Sequence, residues 1–372
     1  MQRRPGWLSA YIPELDGLRG LAILSVVIYH CHPRLHSSGL ETAAQWGWAG
    51  VNLFFVLSGF LITGIILDSR SDPSFFKNFY ARRALRIWPV YVLLLALHYV
   101  VLPWIFGSFW WAWHEVKGAP WLHYALFVQN MFLVALPPAI GPTWSLAIEE
   151  QYYVVWAPLA RFVRERLLLV LLCAVLVASP LVRTANLPWI TATHTLTHLD
   201  GIAVGSLIAL SLRMFAWSRA VWRGVAITAI AVGIAAAVPL LMRGSAFTDS
   251  ALAVTFGGCL LLAVVTRGAG EQTLYTRALQ LSPLRFYGRI SYGLYMTHIM
   301  TFVVIGAFDA RMDQYGTRGD LVVVAVRLAL STAVATLLWY GFEQPILRLK
   351  KYFTAERAKS RRVVGEELVS AD

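Results

Sequence analysis

The sequence predicts an all-α, polytopic membrane protein of about ten transmembrane helices, with the N- and C-termini cytoplasmic. Three observations predict it. Of 372 residues, 58% are hydrophobic and only 14% are charged, too few charges for a soluble chain of this length. Apolar runs of near-spanning length recur from one end to the other. The segments between them alternate between rich and poor in Lys and Arg.

The runs lie near 17–33, 49–68, 86–105, 143–160, 167–182, 199–212, 224–242, 250–266, 290–307 and 319–342. Each reads as a spanning helix, the sixth being marginal in length. An eleventh apolar patch, 121–136, is short and contains Gln129 and Asn130. Charge decides how to treat it. With a cytoplasmic N-terminus and no crossing at the patch, 25 Lys and Arg fall on the inner side and 6 on the outer. A crossing there would swap every later loop and largely erase the asymmetry. Segment 104–140 is therefore expected outside, partly re-entrant or interfacial, a location that suits Trp104, Trp110, Trp111, Trp113 and Trp121.

Residues 1–350 form one membrane domain in this reading, and 351–372 a polar cytoplasmic tail. No small-residue cleavage site follows the first apolar run, which reads as a retained helix. The net charge of +12 fits the positive-inside rule, and no RNP, zinc-finger or basic-helix pattern points to nucleic acid. Three cysteines lie far apart and suggest neither disulfides nor zinc. His194 and His198, with Asp200 nearby, lack an HExxH pattern and read as interfacial polar residues, so no metal is expected.

Four stretches could carry chemistry. In "GLRGLAILSVVIYH" (17–30), Arg19 and His30 are eleven residues apart. That spacing puts both on one helix face, separated by about 16 Å. Arg19 could snorkel and His30 could pack, yet an ionisable group at this depth is a functional candidate. In "FYARRALRIWPVYVLL" (79–94), Arg83 and Arg86 share a face at i,i+3. They are either positive-inside anchors or a guanidinium pair for phosphates. "GPTWSLAIEEQYYVVWAPL" (141–159) buries Glu149 and Glu150 at about the depth of His30, where a carboxylate could orient an imidazole. Adjacent positions point about 100° apart, so only one would face that partner. "GRISYGLYMTHIM" (288–300) aligns Ser291, Tyr295 and His298 in a polar stripe that lines a cavity or knits helices.

Seven stretches in order resemble the acyltransferase-3 family of integral membrane acyltransferases. They are "ELDGLRGLAILSVVIYH", "GVNLFFVLSGFLIT", "FYARRALRIWPVY", "PTWSLAIEEQYYVV", "LDGIAVGSLIA", "GRISYGLYMTH" and "WYGFEQPIL", covering residues 14 to about 347. The resemblance implies an acyl-CoA-dependent O-acyltransferase of ten helices in the cell inner membrane. Its Arg-x10-His pattern falls on Arg19 and His30, its Arg-x-x-Arg pattern on Arg83 and Arg86, and its acidic Trp-Ser-Leu position on Glu149, with Glu150 adjacent. One departure is Asn52, where Asp is expected. No hydrolase-like domain follows the membrane domain, so the chain would complete the transfer itself or pass the acyl group to a partner transferase.

The expected reaction moves an acyl group, most simply acetyl, from cytoplasmic acyl-CoA to a hydroxyl of a glycan, lipid-linked sugar or other small acceptor. Arg83 and Arg86 would hold the CoA phosphates, and Arg19 would guide the pantetheine arm. His30 would act as base or acyl carrier, oriented by Glu149. Ser291, Tyr295, His298 and Trp144 are the candidates for binding the acceptor. The rival class is a transporter or flippase for a lipid-linked or small solute, which would need no arginine pair for CoA.

Overall fold

The computed structural model describes residues 5–8, 11–35, 40–107, 121–132, 136–185 and 187–353. Among these, ten helices of 16 to 24 residues account for most of the chain, and no strand occurs. They are α1 Pro13–Cys31, α2 Ala49–Ser69, α3 Phe75–Ala96, α4 Thr143–Phe162, α5 Glu165–Thr184, α6 Leu199–Met214, α7 Arg219–Met242, α8 Thr248–Gly268, α9 Ser282–Val304 and α10 Gly316–Leu338. Each coincides with one apolar run of the sequence. Short π-helical turns, Leu97–Val101 and Trp339–Glu343, extend α3 and α10.

Six segments are long and apolar enough to cross a membrane, built on α2, α3, α5, α7, α8 and α10. The chain is a multi-pass membrane protein. The helices that fall outside this set, α1, α4, α6 and α9, carry Arg19 and His30, Glu149 and Glu150, Asp200, and Ser291, Tyr295 and His298. Polar groups are costly in hydrocarbon and are retained in the interior of a bundle where they have work to do. Helices α5, α7 and α10 instead present Val170, Val177, Val232, Val238 and Leu337 outward, as a lipid-facing surface requires.

Segment 121–132 does not form a spanning helix. Its only helix among the described residues is Trp121–Ala125, far short of the roughly 20 residues a crossing needs. The rest is pinned to the bundle by the two polar residues that interrupt the apolar patch. Gln129 Nε2 donates to the Thr143 carbonyl at 3.0 Å, and Asn130 Nδ2 to the Thr193 carbonyl at 3.1 Å and to Thr195 Oγ1 at 2.9 Å. Trp104 and Trp121 are exposed. Trp110, Trp111, Trp113 and the tail from 354 onward lie outside the described residues.

The tightest helix pairs are α7 with α8, α2 with α6, and α1 with α9. Glycines make two of these possible. On α6, Gly205 lies against the Val56 backbone, and on α2, Gly59 lies against the Ile202 backbone, so neither site has room for a Cβ. Between α1 and α9, Gly20 abuts the Leu284 carbonyl and Gly288 the Asp16 carbonyl. Buried ions tie the helix ends. Arg183 Nη2 donates to Asp200 Oδ2 at 2.7 Å and to Ser250 Oγ at 2.8 Å, joining α5, α6 and α8. Arg213 grips Asp68 through two bonds of 2.9 Å, joining α6 to α2.

Candidate active site

Two cavities meet inside the bundle. The first encloses about 110 Å³ and is lined by Arg19 from α1, Ser58 from α2, Arg83 and Arg86 from α3, Glu149 from α4 and Ser291 from α9, among others. The second, of about 1130 Å³, is lined by His30, Asn52, Trp144, His198, Asp249 and apolar neighbours. Val51 and Tyr295 line both, so the two cavities adjoin at these side chains. Tyr295 is fixed there by a 2.7 Å hydrogen bond between its hydroxyl and Ser145 Oγ.

The spacing of Arg19 and His30 acquires its meaning here. One helix face carries the arginine to the first cavity and the histidine to the second. In the arginine cavity, Tyr153 donates to Glu149 Oε2 at 2.6 Å, and its hydroxyl lies 2.8 Å from Ser58 Oγ. Arg83 sits over the Tyr153 ring, 5.9 Å from its centroid. Among the described residues neither Arg83 nor Arg86 has a side-chain hydrogen bond or salt bridge, whereas Arg19 is 3.5 Å from Asp16. Two guanidinium groups facing a cavity without partners fit a phosphorylated ligand, because each can offer a bidentate fork.

Glu149 is the carboxylate of the pair that enters the cavity. Glu150 lines neither cavity, and its Oε1 is buried without a hydrogen bond. Glu149→Gln keeps the shape but removes a charged acceptor, whose bonds are worth about 1.5–3 kcal/mol. Turnover should fall about 10-fold more for Glu149→Gln than for Glu150→Gln in initial-rate assays on matched membranes. Equal effects would remove Glu149 from the site.

Two sequence-based expectations need correction. Glu149 is not placed to orient His30: they line different cavities, and Glu149 is bonded to Tyr153. A common depth in the membrane does not imply a common cavity. The partner of His30 is His298, whose Nε2 lies 3.2 Å from His30 Nδ1, with the rings 4.9 Å apart at 61°. His298 is thus set against His30 rather than in either cavity. It is fully buried. The polar stripe on α9 divides its labour: Ser291 and Tyr295 line cavities, and His298 knits α9 to α1.

Trp144 stands in the histidine cavity, its ring 4.9 Å from that of His198. In the same cavity Asn52 meets a residue that the sequence did not single out, Asp249. Asn52 Nδ2 donates to Asp249 Oδ1 at 3.0 Å. The charge expected at position 52 thus sits across the helix interface on Asp249, and Asp at both positions would set two carboxylates together. The linear sequence carries no signal for this pair, 197 residues apart. Among the described residues, no three His, Cys, Asp or Glu side chains gather as a metal site.

Comparison with known proteins places the chain in a family. The Bacillus subtilis protein YrhL, whose name proposes peptidoglycan O-acetylation, is 28% identical over 90% of this chain and 55% of its own length. O-acetyltransferase OatA of Staphylococcus aureus is 25% identical over 92% of this chain and 58% of its own. Peptidoglycan O-acetyltransferase OatA of Listeria monocytogenes is 32% identical over 42% of this chain and 25% of its own. The chain spans little more than half the length of the first two. No solved structure matches it. The acyltransferase-domain model of the acyltransferase-3 family matches residues 12–340, nearly the whole helical bundle and every residue named at the two cavities, and the chain belongs to that family.

Proposed function

We propose that the protein is a membrane O-acyltransferase that moves an acyl group, acetyl in the simplest case, from cytoplasmic acyl-CoA to a glycan hydroxyl presented from the other side of the cell inner membrane. The observation that carries the reading is the pair of cavities that share Val51 and Tyr295 in their walls, one lined by Arg83 and Arg86, which lack side-chain hydrogen bonds and salt bridges among the described residues, and one lined by His30. The loop charges orient them. With 25 Lys and Arg on one side and 6 on the other, ten crossings put both termini and the arginine cavity towards the cytoplasm. The names of the relatives supply the acetyl group and suggest a peptidoglycan-like acceptor.

In this mechanism Arg83 and Arg86 hold the donor phosphates, and Arg19 stands further along the same cavity. Glu149, held by Tyr153, lies in the same cavity and offsets part of their charge. His30 takes the proton of the acceptor hydroxyl as that oxygen bonds to the acyl carbon. The carbon–sulfur bond breaks, and His30 returns the proton to the leaving sulfur. His30 lines the acceptor cavity and not the arginine cavity, which favours a general base over an acyl carrier. Trp144 offers an aromatic face in the acceptor cavity, where a sugar ring can stack. Whether the chain acts alone or passes the acyl group to a partner transferase is set by which acceptor enters that cavity.

Calorimetric titration of the purified protein with acetyl-CoA tests the reading. Arg83→Ala/Arg86→Ala should weaken binding about 10-fold or more, two charged contacts being lost. Undiminished affinity in the double variant, or no binding by the parent protein, would overturn the donor assignment.

A further inference from the structure

The hydrogen bonds around His30 and His298 determine where their protons sit. His298 Nδ1 faces two carbonyl oxygens of its own helix, Leu294 at 3.0 Å and Tyr295 at 2.8 Å. Carbonyl oxygens only accept, so Nδ1 of His298 carries a proton. In the neutral ring its Nε2 is then a lone pair, and that atom points at His30 Nδ1, 3.2 Å away. His30 Nδ1 also faces the Val26 carbonyl at 2.9 Å. Both neighbours of His30 Nδ1 are acceptors, so this nitrogen carries the proton too. A doubly protonated His298 could reverse the bond, but it would set an imidazolium in a fully buried site with no carboxylate bonded to it and leave the Val26 carbonyl facing a lone pair.

We propose that His298 is a positioning residue that holds His30 as the Nδ1–H tautomer and leaves its Nε2 lone pair in the acceptor cavity to take the acceptor proton. The inference deepens the acyl-transfer reading and rests on it for its purpose, although the tautomer stands on geometry alone. His298 does for His30 what an aspartate does for the histidine of a hydrolase triad: it accepts from the far nitrogen and fixes the ring. It does so without bringing a negative charge into the membrane interior. As His30 gains the acceptor proton on Nε2, its Nδ1 proton remains bonded to an acceptor, and no buried donor is stranded.

The dyad also explains why His298 lies beyond the reach of either cavity while sharing a helix face with Ser291 and Tyr295. Its position follows from the glycine-mediated approach of α1 and α9, which brings together side chains 268 residues apart.

The test is a series at position 298 in the full-length protein, with glutamine, leucine and lysine. Glutamine can accept through its carbonyl where Nε2 did, leucine cannot, and lysine can only donate. Thermal unfolding in detergent selects variants that remain folded. CoA release from acetyl-CoA, with purified peptidoglycan disaccharide fragments as acceptor, reads activity. His298→Gln should retain kcat within about 3-fold. His298→Leu should lose about 10- to 100-fold, less than the ~10⁴-fold seen when a charged orienting carboxylate is lost. His298→Lys should lose at least as much. KM for acetyl-CoA should be unchanged throughout, because neither His298 nor His30 lines the arginine cavity. A leucine variant with the turnover of the parent, or a glutamine variant no better than leucine, would overturn the proposal. Nitrogen-15 NMR of histidine-labelled protein decides the tautomer without any substrate, the His30 signals being assigned by their loss in His30→Asn. Protonated Nδ1 with bare Nε2 is the expected pattern, and protonated Nε2 would refute it. Should the expected tautomer appear while His30→Ala keeps full transfer, the acyl-transfer role of His30 fails and the positioning does not.

Discussion

Replacement of His30 by alanine is expected to lower acyl transfer about 10²- to 10⁴-fold in membranes holding equal amounts of protein, the range for loss of a general base. Acetyl-CoA affinity should be nearly unaffected, because His30 faces the acceptor cavity and the donor arginines face the other. A variant that lost donor affinity in parallel with turnover would instead indicate a collapsed bundle. The parent protein should also lose activity as the pH is lowered and His30 takes up a proton, since only the neutral ring can accept one from the hydroxyl. The groups that can modulate this titration are few. His298 packs on the ring from α9, Tyr29 and His32 flank it in sequence, and His198 and Asp249 line the same cavity. Full turnover by His30→Ala would move the base to another group in that cavity, with His198 the first to examine.

The ten helices were legible because hydrocarbon imposes one rule over the whole chain: a polar backbone must be satisfied within its own segment. Segment 121–132 was expected from the loop charges not to cross; it holds only a five-residue helix among the described residues, and Gln129 and Asn130 bond it to the bundle. The arginine cavity was legible because Arg83 and Arg86 lie one turn apart and point together wherever α3 sits. What the sequence did not disclose were pairings between distant helices. Glu149 and His30 were expected at one depth but line different cavities. His298 and His30 were both singled out but not as partners, since nothing in an i, i+4, i+7 stripe tells which neighbour it meets. The Asn52–Asp249 bond was invisible for the same reason. Hydrophobic periodicity specifies a helix and its buried face. The rotation that sets one buried face against another is fixed by packing detail, here by glycines.

That detail carries the last prediction. Gly20→Val and Gly288→Val should each disrupt the α1–α9 contact, because a Cβ at either position would overlap a backbone carbonyl, of Leu284 or of Asp16, with no flexible side chain to move aside. Overpacking costs about 1–3 kcal/mol when neighbours can shift, and a backbone obstacle puts these substitutions at the upper end of that range. The helices can relieve the overlap only by separating. Separation lengthens the 3.2 Å contact of His30 with His298 and shifts His30 relative to Val51 and Tyr295. Thermal unfolding of purified variants should show a lowered midpoint for both, and transfer by the fraction that remains folded should fall more than about 10-fold, since misplacement by roughly 1 Å can cost about 10²-fold. Gly224→Ala on α7 is the matched control, its Cβ meeting nothing within 4 Å, and should behave as the parent protein does. If Gly20→Val or Gly288→Val unfolded at the parent's midpoint with the parent's turnover, α1 and α9 would have to approach less closely than described, and the histidine pair they hold together would lose its support.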